Sequence, residues 1–266
     1  MLDLLVNIEE FDADAALIRN ALALASRQQA FLTGLQLVPE YFPPAEAAAC
    51  TDDPEDRPSA AQARRQWWMQ RCGHAGVAGE WEVRHRLHVD ALAKRSQLAD
   101  FVIGRLRAGG ADGDSGYDEV IRALFAPSSP MLLLPDRWQG VLQARRVVIA
   151  WNGSGTVARA VKAALPLLQR AAAVHVLDGE RRGLPGITLP PLPLRAWLQR
   201  HGVDAQWENF EGDPGAGRNL LDRAHQLDAD LLVVGAWGRL RITELILGGA
   251  TRWLLEHASL PLFIAH

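Results

Sequence analysis

Cysteine is nearly absent from this chain: only Cys50 and Cys72 occur among its 266 residues. Two thiols are too few for a disulfide framework or a four-cysteine zinc site, and they suit a reducing compartment. A charge excess is lacking too. The 28 basic and 31 acidic side chains leave a formal net charge of -3, which gives no chain-wide attraction for a nucleic-acid backbone or an anionic membrane. No uninterrupted apolar stretch approaches the roughly 20 residues needed to cross a bilayer. The opening Met1-Leu2-Asp3, followed by Glu9-Glu10 and Asp12, lacks the basic start and apolar run of a signal peptide. The expectation is a soluble, cytoplasmic protein with no nucleic-acid and no membrane partner.

What is present is ample apolar material. Hydrophobic residues make up 48% of the chain and charged residues 22%, enough to bury a substantial core and to argue against disorder. The length suits two domains of ordinary size. In the first half, short apolar runs at Leu2 to Asn7, Phe31 to Leu37, Glu80 to Arg86, Phe101 to Gly104 and Met131 to Leu134 read as strands. Helical spacing follows Asp12-Ala13-Asp14 through Leu24 and recurs across Ala60 to Cys72, with a polar, proline-bearing stretch from Pro39 to Arg57 between.

The same order restarts at Arg146. Strands are expected at Val147 to Trp151, Val174 to Leu177, Trp207 to Phe210, Leu231 to Val234 and Leu262 to Ala265. A turn at Asn152-Gly153-Ser154 leads into a helix over Val157 to Leu168. A proline-rich segment, Leu184 to Leu194, precedes another helix ending near His201-Gly202. Alternating strands and helices predict a parallel sheet. Gly104 and Gly235 stand 131 residues apart, as do Pro130 and Pro261, a shared offset that suggests an internal duplication. The domains are drawn at 1–135 and 146–266, with 136–145 as linker.

One segment carries chemistry. The run Leu231-Leu232-Val233-Val234 is followed by Gly235-Ala236-Trp237-Gly238, nine residues, then Gly248-Gly249-Ala250-Thr251 and an apolar helical pattern at Trp253-Leu254-Leu255. Glycine lets backbone approach a phosphate, and amides at a helix N-terminus favour an anion. For any single glycine, a sharp turn or a close helix-to-sheet approach explains it equally well.

The full string resembles the universal stress protein family, whose ATP-binding members carry glycine, two residues, glycine, nine residues, glycine and then serine or threonine. The resemblance covers the second half, from Val147 to Ile264. It implies an α/β fold: two tandem Rossmann-like domains of the adenine nucleotide alpha hydrolase-like kind, each a mostly parallel five-stranded sheet flanked by helices. It implies as ligand ATP or another adenine nucleotide, with or without magnesium. Ala150, Trp151 and Asn152 would meet base and ribose. Gly235, Gly238, Gly248, Gly249, Ala250 and Thr251 would meet the phosphates, with Arg239 and Arg241 nearby. Two positions depart from the family: Asn152 stands where an aspartate is usual, and Gly249 where a hydroxyl is usual, leaving Thr251 to supply one.

In the first half the second and third glycines of the motif fall on Arg107 and Tyr117, so this half reads as a degenerate copy with a structural role. The family pairs final strands across an interface, which here implies self-association, between domains or chains, of Met131 to Leu134 with Leu262 to Ala265, beside protein partners of unknown identity. No catalytic constellation and no metal site is expected. Hydrolysis would be weak at most, and the chain is read as a stress-response nucleotide-binding module, not an enzyme. The alternatives are a nucleotide-free docking scaffold and a hydrolase or transferase on the same architecture.

Lesser signals have plainer readings. His85 and His88 lack companion ligands. Asp112-Gly113-Asp114-Ser115-Gly116 begins like a calcium loop but lacks the closing glutamate, and reads as a turn. Ser154 reads as a helix cap and not a nucleophile. Arg64-Arg65 with Trp67-Trp68 fits an amphipathic helix, and nine tryptophans suggest an aromatic interior or interface.

Overall fold

The computed structural model describes residues 1–8, 15–38, 57–85, 88–106, 129–138, 140–180, 192–211, 215–236 and 249–266. Strands β1 (Asp3–Ile8), β2 (Phe31–Val38), β3 (Gly79–His85), β4 (Phe101–Leu106) and β5 (Met131–Pro135) come from the first half. Strands β6 (Arg146–Trp151), β7 (Ala173–Asp178), β8 (Ala205–Asn209), β9 (Leu231–Gly235) and β10 (Leu262–Ala265) come from the second. All ten form one sheet in the order β3-β2-β1-β4-β5-β10-β9-β6-β7-β8. Every neighbouring pair is parallel except β5 with β10, where Leu133 faces Leu262 and Met131 faces Ile264 in antiparallel register. The α/β architecture with two five-strand sets is therefore the observed fold. Joining them at β5 and β10 leaves neither of these inner strands with an open edge.

Seven helices among the described residues cover the sheet. On one face lie α1 (Ala15–Gln28), α2 (Arg57–His74), α4 (Gly155–Leu168) and α5 (Leu194–Arg200), packed into a core that runs through both halves. On the other face α3 (His88–Ser96), α6 (Ala216–Gln226) and α7 (Gly249–His257) cover a second core containing Leu92, Leu221 and Leu255. Helix α4 buries Val157, Ala160, Val161, Ala164, Leu167 and Leu168, the three-and-four spacing that makes one continuous apolar stripe. Trp68 is fully buried, and the half-buried Trp67 and Trp81 pack beside it with ring centroids 6.3 and 5.6 Å away. No helix of the described residues is long and apolar enough to cross a membrane.

Strand registers equate the two halves and correct one landmark. Val102 and Leu232 each donate a backbone hydrogen bond of 2.9 Å to the carbonyl of the proline before the next strand, Pro130 and Pro261. The prolines thus hold matching places, but one residue of drift puts Gly104 opposite Val234 in this equivalence. Gly235 corresponds instead to Arg105, whose guanidinium pairs with Asp136. The expected correspondence of the two glycines is a coincidence of numbering, because the shared offset holds for β5 and β10 but not for β4 and β9. The proposed calcium-like turn, Arg107 and Tyr117 lie outside the described residues, as do Cys50 and much of the stretch from Pro39.

Candidate nucleotide site

The second half places its switch in strand order at β6. From β6 the chain crosses to β7 and β8 on one side and then returns to β9 on the other, which opens a crevice at the carboxyl ends of these strands. A cavity of about 310 Å³ lies there. Its wall is apolar: Ala150 from β6, Leu177 from β7, Val234 from β9, Leu220 from α6 and Leu254 from α7, with Phe210 just beyond β8. Trp151, Asn152, Ser154, Gly179, Ala216, Gly235, Ala250 and Thr251 complete the lining among the described residues, and none of the lining side chains is ionisable.

The rim is built by local hydrogen bonds. Gly153 takes φ +70°, a conformation that favours glycine, and lets the chain turn sharply after β6. The Oδ1 of Asn152 accepts from the Ser154 amide at 3.0 Å, and Ser154 Oγ accepts from the Val157 amide at 3.3 Å. Ser154 is therefore the N-cap of α4, as its position in the sequence suggests. Ser154→Ala is expected to cost about 1 kcal/mol of stability, read by urea denaturation with an unchanged m-value. A carboxylate anchors the same turn from the other side, because Trp151 donates its indole N–H to Glu180 Oε2 at 3.0 Å.

Three helix starts border the cavity. The caps or first turns of α4, α6 and α7 all contribute lining residues, at Ser154, at Ala216 and at Ala250 with Thr251. None of these first turns contains an acidic residue, and no side chain caps α6, whose cap is Gly215. First-turn amides lack intrahelical acceptors, so their donors and the partial positive charge of three helix ends converge on a neutral crevice. An anion attached to an apolar or aromatic body suits such a site.

Of the residues expected at the site, Ala150, Trp151, Asn152, Gly235, Ala250 and Thr251 line this one cavity. Trp151 has its indole in the core on the α4 face of the sheet, 3% exposed. Gly235 has a packing role: a Cβ there would lie 2.5 Å from the Val157 amide nitrogen and 2.6 Å from Thr156 Oγ1. Thr251 is buried, with its hydroxyl 3.4 Å from the Gly235 carbonyl, which ties α7 to the end of β9. Gly249 opens α7 with free space where a Cβ would stand. Gly238, Arg239, Arg241, Gly248 and Trp237 lie outside the described residues. Among the described residues no cluster of three His, Cys, Asp or Glu side chains could hold a metal ion.

Sequence reasoning passed over the contribution of α6 and of Phe210. The signal for α6 was present in Gly217, Leu220, Leu221 and Ala224, all buried and spaced for one helix face. Phe210 follows an edge strand, and only the sheet order brings it to the crevice.

Known universal stress proteins resemble parts of this chain in sequence and the whole of it in fold. The profile of the Universal stress protein family matches residues 143–266. Universal stress protein Sll1388 of Synechocystis sp. is 32% identical over 77 residues, which is 26% of this chain and 49% of that protein. Universal stress protein Slr1101 of the same organism is 32% identical over 62 residues, 23% of this chain and 56% of that protein. The chain thus spans about half the length of the curated relatives it matches. A universal stress protein from Archaeoglobus fulgidus DSM 4304 has the same fold, with a TM-score of 0.69 at 14% identity, over 98% of this chain and 95% of that one.

Proposed function

Because the chain carries a universal stress protein domain over residues 143–266, we propose that the crevice between β6 and β9 binds an adenine nucleotide. The observation that supports this most is the convergence of three helix ends, free of acidic first-turn residues, on a cavity with an apolar wall. The base lies against Ala150, Leu177 and Val234, and the phosphates take the amides of α6 and α7. At about 310 Å³ the cavity is at the small end of ligand sites, which typically hold roughly 300 Å³ or more, and fits a base and ribose with the phosphates at the mouth. ATP is the expected nucleotide, with magnesium carried by its phosphates. The chain acts through ligand-dependent conformation or partner control in the cytoplasm, without rapid turnover, and it self-associates or docks partners through surfaces of this fold.

A second reading, a nucleotide-free docking scaffold, draws on Gly249 and on the engagement of the Thr251 hydroxyl with Gly235, which together leave no free hydroxyl at the start of α7. Ala216→Glu separates the two. A carboxylate in the first turn of α6 favours the helix by roughly 0.3–1 kcal/mol while competing for the amides that a phosphate needs. Calorimetric titration with ATP, ADP and AMP, with and without magnesium, is expected to show saturable binding that this variant weakens at least about tenfold, its melting temperature unchanged or raised. No binding at millimolar nucleotide leaves the scaffold. Full binding by the variant moves the site elsewhere.

A further inference from the structure

Among the described residues, Phe210 is the one aromatic residue of the cavity wall that belongs to the same core as Leu177 and Leu220, and its setting suits it to a planar ligand. Phe210 follows β8, and its amide donates to the Asp178 carbonyl at 2.8 Å, which fixes the backbone against the end of β7. The ring is half-buried at the edge of the core that contains Leu177 and Leu220. Gly179 stands next to it: a Cβ on this residue would be 3.9 Å from Phe210 Cδ1 and 3.1 Å from the Phe210 carbonyl oxygen. Both residues line the cavity, and glycine places no side chain beside the ring. Trp151, the other aromatic residue of the lining, has its ring in the opposite core with its N–H committed to Glu180.

We propose that Phe210 is the stacking platform for the ligand's base and so the residue that makes the site select a nucleotide over an anion without an aromatic group. This rests on the reading of the crevice as a nucleotide site. A helix-end amide binds any small oxyanion, so the amides of α6 and α7 alone would not distinguish ATP from inorganic phosphate. Stacking supplies that distinction, because every nucleobase offers a π-face to an aromatic ring while a bare phosphate offers none. The selection is for planarity more than for hydrogen-bonding pattern, so GTP should be held almost as well as ATP.

The test is titration of ATP and GTP into the wild type, Phe210→Leu and Phe210→Trp, with thermal melts of each. Leucine keeps apolar bulk and removes the π-face; it is expected to weaken both nucleotides about tenfold, whereas tryptophan keeps wild-type affinity within about twofold. Phe210→Met serves as a second aliphatic variant where leucine does not fold. Unchanged affinity in the aliphatic variants overturns the proposal, and so does an equal loss in the aliphatic and tryptophan variants, which marks a packing role. Wild-type protein that binds no nucleotide overturns this proposal together with the nucleotide reading, while binding that is indifferent to position 210 overturns the platform alone.

Discussion

Phe263→Ala is expected to destabilise the chain by about 3–5 kcal/mol, the range for truncating a buried phenylalanine, and to weaken both halves together. Phe263 is fully buried in β10, between Leu132 of β5 and Val233 of β9. Its ring meets Phe101 of β4 edge-to-face, centroids 5.2 Å apart and planes at 75°. These two rings therefore bridge the strand sets, and they belong to one apolar core that includes Ile18 of α1 and Val161 of α4. Alanine leaves a cavity under the antiparallel ladder that joins β5 to β10. Neighbouring strands cannot close it without giving up their register. Scanning calorimetry is expected to show one transition, lowered by roughly 10 °C for a domain pair of this size. Two separate transitions, with only one displaced, would show that the halves unfold independently and that the bridge carries little of the stability.

Much of this fold is legible in the sequence because parallel strands are buried on both faces. Val147 to Trp151, Leu231 to Val234 and Met131 to Leu134 are short apolar runs with no polar alternation, and each is a strand within a residue of the expected bounds. The helix over Val157 to Leu168 shows its buried stripe equally well. What local pattern does not contain is which elements become neighbours. The pairing of β5 with β10 follows from the family likeness and not from the residues, and its antiparallel sense is seen only in the register. Helix α6 has an average apolar content low enough to pass as a polar connection, although its buried face is regular. Gly104 and Gly235 share an offset but not a place in the ladder, because one strand begins a residue earlier relative to its proline. A numerical repeat is a weaker guide than hydrogen-bond register.

The site divides in the same way. The turn at Asn152 to Ser154 and the start of α7 belong to contiguous stretches whose residue types announce a turn, a cap and a helix end. Gly179, Phe210 and Ala216 have no such local announcement. They reach the crevice because the chain leaves β6 on one side and returns on the other, a property of connectivity. Arg105 adds the reason why the first half differs: it stands where the second half has Gly235, and it pairs with Asp136 beside a cavity of only about 50 Å³. A side chain fills the place where the other half brings a helix end against the sheet.

Gly235→Ala tests that last contrast and carries the second large effect. The added methyl would lie 2.5 Å from the Val157 amide nitrogen, 2.6 Å from Thr156 Oγ1 and 3.0 Å from Val157 Cα. Two of these three are backbone atoms of the first turn of α4, so no side-chain rotation relieves the contact. The turn must move as a body. Helix α4 packs on β9 and β10 along its buried stripe, and overpacking of this kind costs about 3 kcal/mol. The displaced turn also carries Asn152 and Ser154, which line the cavity, so nucleotide affinity is expected to fall with it. Gly249→Ala is the matched control from the same glycine motif. Nothing lies within 4 Å of its added Cβ, and at this first helical residue the exchange is expected to change stability by less than about 0.5 kcal/mol. Urea denaturation should therefore show a large loss for Gly235→Ala and none of that size for Gly249→Ala. Equal stability of Gly235→Ala and wild type would mean that the α4 turn yields freely, and that the rim of the crevice is not held by the approach of helix to strand.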